Sequence, residues 1–176
     1  MIDIRDAKFT AIQTAEAAGV KLATMQTWLA RYEKPKENTV GGGVQGRARV
    51  FNFYNVLSIA TAAKLIEAKL ATETALFAGE TFAHSAMPFL GYDRHPGMLY
   101  HSPNGKVQTL LCVSTKGTCE VPVADGIDPL KEVRILLGYP PVITTMLMDE
   151  LWINVCWKLG FPPNEVINAV YGAMAD

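Results

Sequence analysis

A chain of 176 residues, 49% hydrophobic, 19% charged and with a net charge of −1, has the composition of a globular protein of one medium or two small domains. No apolar run approaches the roughly 20 residues that cross a bilayer as a helix. The start Met1-Ile2-Asp3-Ile4-Arg5-Asp6 is charged where a secretion signal needs an apolar core, so a cytoplasmic protein with no membrane partner is expected.

In chain order, Thr10 and Gln13 have the spacing of a capping box, which predicts a helix over 11–18 with Ile12 and Ala15 facing inward. Gly19 ends that helix, because glycine enters the left-handed conformation at little cost. A second helix is predicted from about Lys21 or Leu22 to Tyr32. Leu22, Met25, Leu29 and Tyr32 fall on its inner side, with Trp28 beside them. Lys21, Ala23, Thr24, Gln26, Thr27 and Arg31 fall outside. Residues 33–46 are polar and glycine-rich around Gly41-Gly42-Gly43, the composition of a hairpin tip. Arg47 and Arg49 alternate with Ala48 and Val50 and share one strand face.

Asn52 is a natural cap for a third helix, whose apolar stripe is Val56, Ile59, Ala60, Ala63, Ile66 and Ala68. A fourth helix opens at Ala71-Thr72-Glu73 and reaches about Ser85, with Leu76, Phe77 and Phe82 as its bulky apolar residues. Met87-Pro88 stops it, and a boundary is placed at 86–96. The rear half predicts a three-stranded antiparallel meander over Met98–His101, Val107–Ser114 and Thr118–Val123, with turns at Ser102-Pro103-Asn104-Gly105 and Thr115-Lys116-Gly117. A short helix at Asp128-Pro129, a longer one over about 142–159 and a last one over about 164–173 complete an α+β chain. Its expected domains are 1–86 and 97–176.

Charge divides along the same line. Residues 1–70 hold ten Lys/Arg against six Asp/Glu, and residues 71–176 hold six against eleven. The front attracts a polyanion and the rear repels one.

At this point the front half resembles the MerR-type winged helix-turn-helix of bacterial and phage DNA-binding proteins. The resemblance covers about residues 9–85. It rests on Phe9-Thr10-Ala11-Ile12, the corner Gly19-Val20, Thr24-Met25 with Trp28, the wing exit Arg47-Ala48-Arg49-Val50-Phe51, and Asn52-Phe53-Tyr54-Asn55-Val56-Leu57. It implies that the second helix enters the major groove of double-stranded DNA. Lys21, Thr24, Gln26 and Thr27 would contact the groove, Arg31 would bind DNA from the end of the same helix, and Arg47 and Arg49 would hold the backbone. Lys21 stands where the family has a capping Ser or Thr, and Gln26 where it often has a phosphate-gripping arginine. The wing is longer and richer in glycine. No long heptad helix follows residue 85, so the family's coiled-coil dimer and promoter-untwisting mechanism are not implied.

The expected function is operator occupancy by a bacterial or phage-type transcriptional regulator, a homodimer whose C-terminal half supplies the dimer contact or binds an effector or protein partner. Its aromatic-rich segment Trp152, Val155, Leu159 and Phe161 fits core packing against the meander or a dimer interface, and the two are compatible. The alternatives are an architectural DNA binder, such as an excisionase-like or packaging factor, and a protein-interaction module that does not touch DNA. No cofactor motif is present. Cys112, Cys119 and Cys156 lack the paired spacing of a zinc site and are expected as reduced thiols. Asp93-Arg94-His95 beside Pro96-Gly97 is the composition of a polar turn, and no catalysis is assigned to it.

Overall fold

The computed structural model describes residues 3–32, 49–102 and 106–172. Its front half contains β1 (Phe9–Thr10), α1 (Ala11–Ala18), α2 (Leu22–Tyr32), β2 (Val50–Phe51), α3 (Phe53–Glu67) and α4 (Thr72–His84). The rear half contains β3 (Gln108–Ser114), β4 (Gly117–Val123), α5 (Pro129–Leu136), β5 (Thr144–Leu147), α6 (Asp149–Lys158) and α7 (Pro163–Tyr171). Helices and two antiparallel sheets occur together, and the chain is α+β.

Local signals account for the front half. The Thr10 hydroxyl accepts from the Gln13 amide, and the Gln13 side chain accepts from the Thr10 amide. Asn52 and Asn55 make the same reciprocal pair at the start of α3. Each box satisfies two amides that have no partner within the helix. Gly19 takes φ 72° and closes α1 with bonds to the carbonyls of Ala15 and Glu16. β1 pairs with β2, Phe9 opposite Phe51, and so ties the entry of α1 to the entry of α3.

α3 is the central helix. Val56, Leu57, Ile59, Ala60, Ala62, Ala63 and Leu65 are buried, so apolar residues surround it rather than forming one stripe. α4 approaches it at Gly79, where an added Cβ would stand 2.3 Å from the Ser58 carbonyl oxygen.

The rear half departs from expectation in three places. Met98–His101 is not a strand. Met98, Leu99 and Tyr100 are buried in succession, without the alternation of a half-exposed strand, and the Tyr100 amide donates to the Thr109 hydroxyl instead of to a ladder. The sheet is antiparallel and three-stranded, but its order is β4-β3-β5, and the third strand comes from residues 144–147. The helix expected over 142–159 therefore begins only at Asp149. Ile143-Thr144-Thr145 is β-branched and follows Pro140-Pro141, so its backbone favours extension.

The expected boundary at 86–96 does not separate two cores. Trp152, Val155 and Cys156 of α6 lie in one cluster with Phe53, Leu57 and Met25. The Trp152 ring meets Phe53 edge-on at 6.3 Å, and its indole N–H donates to the Gly97 carbonyl. Phe161 meets Phe9 edge-on at 6.4 Å. A smaller cluster of Cys112, Cys119, Val121, Val133 and Leu137 lies between the hairpin and α5.

Candidate nucleic-acid interface

α1, the Gly19 turn and α2 form two consecutive helices joined by a left-handed residue. Met25 is the buried anchor of α2, with Leu22, Trp28 and Leu29 half-buried against the core. The opposite side carries Ala23, Gln26, Thr27, Ala30 and Arg31, all exposed. These positions follow i, i+3, i+4, i+7, i+8 and make one continuous stripe. It holds no carboxylate, and α2 as a whole contains no acidic residue. Ala23 and Ala30 are short, so they leave room for another surface to approach.

The residues singled out from sequence fall as follows. Gln26, Thr27 and Arg31 share the stripe, and Lys21 is exposed immediately before α2. Thr24 is half-buried and sits beside the stripe. Thr27 Oγ1 donates to the Ala23 carbonyl at 2.8 Å, and its oxygen can still accept a hydrogen bond. Arg49 is half-buried, its guanidinium 5.7 Å from the centre of the Phe51 ring. Arg47 lies outside the described residues, as do the glycine tip and the wing built on it.

Two expectations for side-chain direction change, those of Ile12 and Tyr32. Ile12 is 59% exposed. Thr14, Ala15, Ala17 and Ala18 define the buried arc of α1, and at about 100° per residue Ile12 falls nearly opposite its centre. Tyr32 is exposed at the end of α2, and Phe77 is 60% exposed on α4. Sequence reasoning missed Ala30 as part of the outer stripe. Its signal was present in the spacing from Ala23 and Gln26, but alanine fits either face.

The rear half braces this module. Lys158 Nζ, from α6, donates to the carbonyls of Glu16 and Ala17 at 3.3 and 3.4 Å. A cation at a helix C-terminus satisfies orphan carbonyls and complements the helix dipole. α1 is thereby held at its far end by a residue more than a hundred positions away.

Several rear titratable groups have structural partners. Arg94 donates to the carbonyls of Phe82 and Ser85, lies 4.5 Å over the Phe82 ring and stands 3.7 Å from Glu120. His95 and His101 flank the Tyr171 ring, with His101 stacked at 4.6 Å. Cys112 and Cys119 face each other across β3 and β4. Burial pushes the Cys156 thiol up to about 12. Among the described residues no group of three or more His, Cys, Asp or Glu side chains converges as a metal site would require.

No family model matches this chain, and no curated protein matches it.

Proposed function

We propose that this chain is a sequence-specific binder of double-stranded DNA, a regulator of the bacterial or phage type that acts by occupying an operator. α2 lies in the major groove, and Arg47 and Arg49 hold the adjacent backbone. The observation that carries the reading is the stripe Ala23, Gln26, Thr27, Ala30 and Arg31: continuous, exposed, free of carboxylates, and on the second of two helices joined at Gly19. The charge division supports it, with the front half basic and the rear half acidic.

Within this reading Gln26 and Thr27 contact base edges. Gln pairs with the N6 and N7 atoms of adenine, and Thr27 offers a methyl to thymine or an acceptor to a base amino group. Arg31 closes the C-terminal end of the stripe and meets a phosphate, and Lys21, exposed immediately before α2, contacts the groove.

Selection of bound fragments from a random DNA pool by the full-length protein tests the reading. A recovered consensus is expected. Gln26→Ala should relax one position of it, at about 1–3 kcal/mol of discrimination. Replacing Arg47 and Arg49 together by Ala should lower affinity for all sequences and flatten the salt slope by about two units. Recovery of no enriched sequence, together with no shift of genomic fragments, sinks the proposal. The alternative is then a protein-interaction module that does not touch DNA.

A further inference from the structure

The two outer edges of the three-stranded sheet differ. In an antiparallel ladder successive residues alternate in the side to which their N–H and C=O point. The Met148 amide donates to the Thr109 carbonyl at 2.9 Å, so Met148 points toward β3. Met146 and Thr144 then point the same way, and the backbone groups of Thr145 and Leu147 point outward. The same alternation along β3 turns Thr109 away from β4. Pro122, the Cα partner of Thr109, therefore directs its nitrogen to the outer edge of β4.

β4 is thus a closed edge. Pro122 has no N–H to offer. The outward carbonyl of Glu120 accepts the Tyr100 hydroxyl at 3.1 Å. β5 has neither device. Its pairing with β3 is regular over all of its residues, and it contains no charge and no proline. Among the described residues no group bonds to the outward backbone of Thr145 or Leu147. Natural edge strands carry such protection because an open edge is a template for another strand.

We propose that β5 joins two copies of this chain, edge to edge and antiparallel, into one continuous sheet. A two-fold operation satisfies both open edges at once, since each copy brings the same strand. With Met146 on the axis, Thr145 stands opposite the partner's Leu147, and both outward-pointing residues exchange main-chain hydrogen bonds. Charge selects the same place. Residues 71–176 hold eleven Asp/Glu against six Lys/Arg, so two rear halves repel over most approaches. The run from Ile135 to Met148 contains no charged residue, and copies meeting there bring no like charges together. Leu147, 47% exposed, supplies apolar contact at the seam. This inference does not rest on the DNA reading, since the dimer forms with DNA absent.

Sedimentation velocity of the full-length protein without DNA, over the micromolar range, tests it. A concentration-dependent dimer is expected. Leu147→Lys places a charge on the edge at a half-exposed position, and Thr145→Pro deletes only an outward donor. Each should weaken dimerisation by about tenfold or more. Near-UV circular dichroism of the buried Trp152 identifies variants that keep the fold, and the comparison is made on those. A wild-type protein that stays monomeric at tens of micromolar overturns the proposal. A dimer whose affinity is unchanged in folded Leu147→Lys also overturns it, because the contact then lies elsewhere.

Discussion

Single residues anchor the fold where a polar group has been taken out of water and given one partner. Asn52 is half-buried, and the first turn of α3, on which α1, α4 and α6 pack, depends on its reciprocal bonds with Asn55. Asn52→Ala should cost about 1 kcal/mol, measured by urea unfolding. A change within error would show that water replaces the cap without loss. Arg94 carries more. Its guanidinium is fully buried, pairs with Glu120 and closes the C-terminal carbonyls of α4. Arg94→Met should cost about 3–5 kcal/mol, because it leaves the Glu120 carboxylate buried without a counter-charge. Asp149 gives a prediction in pH. Burial pushes its carboxyl above the ordinary range, opposed by the Thr109 amide, which donates to it at 3.0 Å. The folded chain therefore holds that proton more tightly than the unfolded chain. The associated stability is fully present below the ordinary carboxylate range and is lost as pH rises through the raised value. Asp149→Asn keeps an acceptor for Thr109 and removes the titration. Its stability relative to the unsubstituted protein should rise as pH increases from about 4 to 7. Parallel stability curves would contradict this assignment.

Between elements, α4 approaches α3 closely at Gly79. Gly79 is needed because backbone, not a movable side chain, occupies the place of a Cβ. Gly79→Ala must push α4 away from α3, and the cost should reach about 3 kcal/mol, the upper end for overpacking. Thermal unfolding checks the direction, since alanine would otherwise favour a helix. A gain in melting temperature would mean that the two helices separate freely. Much of the helical layer was legible in the sequence for a simple reason. Capping boxes and the Gly19 stop are bonds between residues a few positions apart, so residue type and spacing suffice. The direction of Ile12 was not legible. An amphipathic pattern of mostly alanine residues leaves several faces equally suited, and contact with α3 chooses among them.

Across the whole molecule, the front module is completed by the rear. α6 contributes Trp152 and Val155 to the core around Phe53, and Lys158 caps α1. A fragment ending near Ala86 would expose that core and lose the cap. It should lack a cooperative unfolding transition, which circular dichroism during heating would show. A fragment that unfolds cooperatively would establish that the helix-turn-helix is self-sufficient. The chain's local grammar determined the α1–Gly19–α2 unit, the capped start of α3, the α4 span, the hairpin at Thr115-Lys116 and the separation of basic from acidic residues. Each of these is encoded over a few residues or by composition. Only the tertiary structure decided that residues 144–147 form a strand, that Met98–His101 do not, and that one core spans both halves. Strand partnership and shared burial depend on segments far apart in the chain. A short apolar run is compatible with helix or strand until a neighbour supplies either a ladder or a packed face.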